Sequence, residues 1–87
     1  TLVPDFVVEV LSPGNTKAEL ARKRIEYFAA GTQLVWIVDC AHRSVAVYTS
    51  PSDAVVVGQD AVIDGGNVLK GFSSPVADFF ADLDIGA

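Results

Sequence analysis

The chain has 87 residues, 51% of them hydrophobic and 20% charged, enough for one domain that removes roughly 8,000 Å², about 63% of the unfolded chain's surface, from water. Seven Gly and four Pro are too few for a collagen-like or low-complexity chain, and the apolar content is too high for a disordered one. A formal charge of −5 excludes a protein that grips nucleic acid by bulk positive charge, because counterion release needs many Lys and Arg beside phosphates.

Phe6 to Leu11, FVVEVL, is rich in β-branched residues and bounded by Pro4 and by Ser12-Pro13-Gly14-Asn15, which predicts a strand buried on both faces. Thr16 followed by Glu19 is a capping-box pattern, in which the hydroxyl accepts from the Glu19 amide and the carboxylate reaches back to the Thr16 amide. A helix is therefore expected from Thr16 to Ala30. Its apolar stripe is Ala18, Ala21, Ile25, Phe28 and Ala29, widened by Leu20, with Gly31 placed as a left-handed C-terminal cap. Leu34 to Asp39, LVWIVD, again predicts a strand covered on both sides. Its first five residues form the longest apolar run in the chain, far short of the ~18 to 20 a bilayer-spanning helix needs, and no basic region leads into an apolar stretch at the N-terminus. A soluble protein without a membrane partner is expected. The single Cys40 excludes an internal disulfide and a multi-cysteine metal centre, and fits a reducing, cytoplasmic setting.

Strand, helix and strand with short connections make a βαβ unit, predicting parallel strands and a right-handed crossover. Ala41-His42-Arg43 reads as a turn, and Ser44 to Thr49 alternates like an antiparallel hairpin partner with one wet face. Short strands are expected at Ala54 to Val57 and Ala61 to Ile63, then a turn at Asp64-Gly65-Gly66-Asn67 before Val68-Leu69. Ser74 before Pro75 predicts an N-cap, and Val76, Phe79, Phe80 and Leu83 a short amphipathic helix ending by Gly86. The expected architecture is one α/β domain over residues 1–87, with a mixed sheet, a following hairpin and a short C-terminal helix. The chain lacks Met and opens at Thr1 almost directly into a strand, so it is expected to be part of a longer gene product.

Glu9 is the anomaly, because a carboxylate inside an apolar strand costs several kcal/mol unless a cation, a donor or water access compensates it. Asp5 shares its face of the strand but lies roughly 13 Å away along it. The two could share one ion directly only if Asp5 lies at a bent strand start, and its plainer role is to begin the strand. Lys17, Arg22, Lys23 and Arg24 supply four of the six basic side chains. Lys23 and Tyr27, four apart, stack on one helical face. If that face turns toward Glu9, carboxylate, ammonium and phenol together suit a phosphate ester. Alternatively, Lys23 is an exposed helix lysine over a half-buried tyrosine. Lys17, Arg22 and Arg24 are most simply a solvated face, with phosphate contact the alternative. His42 belongs to an exposed turn, Trp36 to the core, and Cys40 lacks the histidine a thiol nucleophile needs.

Val3-Pro4-Asp5-Phe6-Val7-Val8-Glu9-Val10-Leu11-Ser12-Pro13, then Glu19-Leu20, Lys23, Tyr27 and Gly31, then Val35-Trp36-Ile37-Val38-Asp39, closely resemble the putative restriction endonuclease family of the PD-(D/E)XK nuclease superfamily. Gly71-Phe72 followed by Val76-Ala77-Asp78-Phe79-Phe80 resembles the tail of that family. The resemblance implies a restriction-endonuclease-like mixed sheet and Mg²⁺-dependent hydrolysis of DNA phosphodiesters, Mn²⁺ being the other cation expected. It also implies Glu9 as a metal ligand, Lys23 as the group that stabilises charge on the phosphate, and Tyr27 as a hydrogen-bonding partner of substrate or of Lys23. Leu11 stands where the superfamily's lysine lies, so Lys23 on the helix stands in for it. Relatives carry a Pro-Asp on an upstream hairpin as the first acidic ligand; here Asp5 would substitute, or the chain is partial. The rival expectation is a catalytically silent fragment, or an interaction module whose open sheet edge is covered by a second copy in a homodimer. A weaker third is an enzyme of other phosphoryl chemistry.

Overall fold

The computed structural model describes residues 4–12 and 14–81. Strand β1 (Phe6–Leu11) leads into helix α1 (Lys17–Ala30), then strands β2 (Leu34–Asp39), β3 (Ser44–Tyr48), β4 (Ala54–Gly58), β5 (Val62–Gly65) and β6 (Leu69–Pro75), and a closing 3-10 turn over Val76–Phe80. The first four strands form one sheet in the order β1-β2-β3-β4, and β5 pairs with β6 in a second. As the βαβ pattern requires, β1 and β2 are parallel, with Glu9 opposite Ile37. The later pairs are antiparallel.

Local chemistry sets the ends of α1. The Thr16 hydroxyl accepts from the Glu19 amide at 3.1 Å, but the return bond of the capping box is not made among the described residues. Gly31 closes the helix at φ 116°. Its amide bonds Phe28 O at 3.2 Å while Thr32 N bonds Tyr27 O at 3.0 Å, the paired bonds of a left-handed cap that needs glycine. The carbonyl of Asp5 then accepts from both Gln33 and Leu34 amides, which ties the start of β1 to the start of β2.

The core lies on the sheet face away from α1. Leu34, Trp36, Val38 and Val45 pack there against Ile63, Val76 and Phe80, and Phe6 meets Trp36 edge-on at 4.7 Å between ring centroids. The other face turns Val35 and Ile37, both buried, toward α1.

Three expectations are corrected. β1 is not covered on both faces: it is the outer strand of its sheet, and Val8 and Val10 are 47% and 57% exposed. The inward face of α1 is not the alanine and isoleucine stripe. Leu20 is its buried residue, with Ala21, Arg24, Tyr27 and Phe28 half-buried, while Ala18, Ile25 and Ala29 are exposed. Arg24 and Tyr27 turn inward because the sheet below offers an aromatic ring and a carboxylate, partners a hydropathy pattern does not register. Finally, Ser74 is not an N-cap. Ser74 and Pro75 close β6, the 3-10 turn begins at Val76 without a side-chain cap, and Leu83 and Gly86 lie outside the described residues.

Candidate functional site

Glu9 is the fourth residue of β1, half-buried, on the face that α1 covers. Its compensation is a donor: Tyr27 Oη donates to Glu9 Oε1 at 2.6 Å, the short distance of a hydroxyl bonded to a carboxylate. That bond, then burial, then the charges of Glu9 and Glu26 raise the Tyr27 phenol above its ordinary value, because ionisation would set two anions against each other. The cation expected beside Glu9 is not in contact with it, as no ion pair joins Glu9 to Lys23 among the described residues. Lys23 is exposed and lies about 40° round the helix from Tyr27. Tyr27 bonds Glu9 of β1 and Arg24 lies over Tyr48 of β3, so helical spacing puts Lys23 on the flank of Tyr27 away from Arg24, toward the β1 side of the described sheet.

The remaining basic residues separate. The Arg24 guanidinium lies 4.1 Å over the Tyr48 ring, and its Nε donates to Pro51 O at 3.3 Å. Arg22 is exposed. Lys17 lines a hollow between α1 and the sheet together with Leu11, Asp39 and His42. Asp5, in a bend before β1, places its Oδ1 3.4 Å from Gln33 Nε2. Among the described residues no three His, Cys, Asp or Glu side chains gather to hold a metal. Glu9 is the inward carboxylate available to a hard cation, its second oxygen free of protein donors among the described residues. Mg²⁺ accepts such a ligand, since one or two carboxylates, water and substrate phosphate suffice for it.

A family model described as Uma2, putative restriction endonuclease, matches residues 1–77. The chain belongs to this family. Among solved structures, the Uma2 fold seen here is similar to the crystal structure of a putative nuclease belonging to DUF820 from Anabaena variabilis, with a TM-score of 0.80 and 23% identity. The match covers 93% of this chain and 46% of that one, so the Uma2 chain spans less than half of that neighbour. No curated protein matches it. Glu9, Lys23 and Tyr27 all fall inside the matched span.

One pair escaped the sequence reading. Asp39, at the end of β2, accepts from the His42 amide at 3.1 Å through Oδ1, and its Oδ2 meets His42 Nδ1 at 2.8 Å. Partial burial would raise the Asp39 carboxyl, but the His42 side-chain and backbone bonds, the imidazole charge and the Ala41 amide outweigh it and hold it below the ordinary range. The available signal was an Asp three residues before a His across a turn, the spacing at which a carboxylate accepts from the backbone and the ring together. No helix of the described residues is long and apolar enough to cross a membrane.

Proposed function

We propose that the chain carries the ligand strand and charge-stabilising helix of a Mg²⁺-dependent endonuclease that hydrolyses DNA phosphodiesters in the cytoplasm. The observation behind this reading is the Tyr27–Glu9 bond at 2.6 Å, which sets the Pro-Asp-x-x-x-Glu-Val-x-Ser-Pro strand against the Lys-x-x-x-Tyr helix. Glu9 would hold the cation through its free oxygen, and Mn²⁺ would suit the same ligand. When bound, the metal polarises the scissile phosphate and acidifies an attacking water. Tyr27 fixes the carboxylate. Lys23, on the flank toward the β1 side, would reach a phosphate seated at Glu9 and stabilise the charge developing on its oxygens. Asp5, in the bend that opens β1, would be the second carboxylate if it shares the ion and otherwise only starts the strand, and Lys17 and Arg22 would make weak contacts to the nucleic-acid backbone.

Glu9→Gln and Lys23→Ala in the full chain should each abolish metal-dependent cleavage of DNA. Titration calorimetry with Mg²⁺ should give heat that saturates in the wild type and disappears in Glu9→Gln. Unchanged cleavage in both variants, or no heat at all, overturns the assignment.

A second reading rests on the exposed Val8 and Val10 of the outer strand. A non-catalytic module would cover that edge with a second copy of itself. Sedimentation would then show a concentration-dependent dimer that Val10→Lys dissociates.

A further inference from the structure

Beneath the first half of α1 a groove opens that neither Glu9, Lys23 nor Tyr27 lines. Two adjoining hollows of about 610 and 520 Å³ share Leu11, Lys17, Asp39 and His42. Each volume is in the range of small-molecule sites. The groove runs from the carboxyl ends of parallel strands β1 and β2 along the sheet face under the start of α1.

Its charge runs against that of the molecule. The chain as a whole carries −5, yet Lys17 and Arg24 line the groove against one carboxylate, Asp39, with the His42 ring beside it. That carboxylate is already occupied by the imidazole and amide of His42. His42 is 79% exposed on its side chain and is held in place by Asp39, so its free ring edge stands at the mouth beside Lys17. Away from this polar end the floor is apolar, built from Leu20, Ile37 and Val56. At the far wall stands Tyr48, its ring backed by the Arg24 guanidinium at 4.1 Å. A polar mouth carrying the Lys17 ammonium and the His42 ring, over a greasy, partly aromatic floor, complements an anion that carries a flat ring.

We infer that this groove binds a phosphorylated ring compound of mononucleotide size, with the phosphate between Lys17 and His42 and the ring over Leu20 and Ile37 toward Tyr48. The groove shares no side chain with Glu9, Lys23 and Tyr27, and only Lys17 among the weaker backbone contacts of that reading.

Amide-resolved NMR titration with adenosine monophosphate, adenosine and inorganic phosphate tests it. The monophosphate should give saturating shifts confined to the end of β1, the first half of α1, β2 from Ile37 into the β2–β3 turn, and β3 at Tyr48, and should bind about tenfold more tightly than either half alone. Lys17→Ala, a change on an exposed helix position, should weaken it about five- to tenfold. Glu9→Gln should bind it like the wild type, which separates this groove from the proposed cleavage site. Equal affinity for inorganic phosphate alone overturns the ring assignment. Equal affinity for adenosine overturns the phosphate assignment. Shifts centred on Glu9 and Tyr27, or no saturation, overturn the site. Much tighter binding of a single-stranded oligonucleotide that shifts the same residues replaces the mononucleotide by a nucleic-acid strand.

Discussion

Removing the Tyr27 hydroxyl tests the claim that a donor on α1 is what makes an acid tolerable in β1. The Oη to Oε1 distance of 2.6 Å is that of a charge-assisted bond, and bonds to charged groups contribute roughly 1.5–3 kcal/mol net. Both side chains are only half-buried at the sheet's outer strand, so solvent screening reduces the expected value to about 1 kcal/mol. Tyr27→Phe keeps the ring and its packing, and for a domain of this size should lower Tm by about 4–8 °C. Part of any single-variant effect comes from the altered strand or helix itself, so the decisive quantity is the coupling between Glu9→Ala and Tyr27→Phe. Equilibrium denaturant unfolding of the wild type, both single variants and the double variant should give a coupling energy of about 1 kcal/mol. Additivity within about 0.3 kcal/mol would refute the reasoning and leave Glu9 compensated by water alone.

Because its partner raises the Tyr27 phenol, the stability from this bond is fully present below the ordinary tyrosine value of about 10 and is lost as pH rises through the higher folded value. Near-ultraviolet titration should show one late tyrosinate component that Tyr27→Phe removes. Asp39 has the opposite sign. Partial burial opposes its ionisation, but the His42 bonds prevail and depress it, so its contribution holds above about 3.9 and fades as pH falls through the lower folded value. Asp39→Asn should flatten the acid limb of a stability-against-pH curve. In the second sheet, a methyl at Gly65 would overlap the Leu69 side chain and carbonyl at the bulge between β5 and β6. Gly65→Ala should therefore cost about 1–3 kcal/mol, read from the denaturation midpoint, whereas Gly14→Ala, which meets open space, should change little.

The strand, helix and strand of the first half were legible because each is specified locally. FVVEVL and LVWIVD are β-branched, Thr16 caps a helix start, and Gly31 supplies the left-handed residue at its end. The faces were less legible. Whether Val8 and Val10 are covered depends on what lies beside β1, which a strand's own residues do not encode. The stripe on α1 was misplaced because Ile25 looked like core while Arg24 and Tyr27 looked like surface. Their burial follows from Tyr48 and Glu9, residues 24 and 18 positions away. The expectation that Glu9 needs a partner was sound, and the βαβ geometry brought Tyr27 to it. Lys23 was expected in the same cluster, but helical spacing alone could say only that it shares a flank with Tyr27. The second half gave weaker signals because β5 has only four residues and β6 is mostly exposed and carries Lys70, Gly71, Ser73 and Ser74 among its few apolar residues. The groove behind Lys17 was invisible for another reason, since its walls come from α1, β2 and β3 together.

The Tyr27 hydroxyl also allows stability and the proposed metal binding to be separated at one carboxylate. Glu9 has two oxygens, and the phenol occupies only Oε1. A cation held on the other oxygen would leave the hydrogen bond in place, whereas one that needed the Oε1 lone pair facing the phenol would compete with that bond and its contribution to folding. If Mg²⁺ is held as proposed, through the free oxygen, Tyr27→Phe should lower Tm while leaving Mg²⁺ affinity within about twofold, a difference of roughly 0.4 kcal/mol. An ion that needed the lone pair facing the phenol would give the reverse, with affinity rising about fivefold once a bond of about 1 kcal/mol no longer competes. Calorimetric titration of Tyr27→Phe beside the wild type distinguishes the two. A marked gain in affinity would show that the phenol and the metal contend for the same atom.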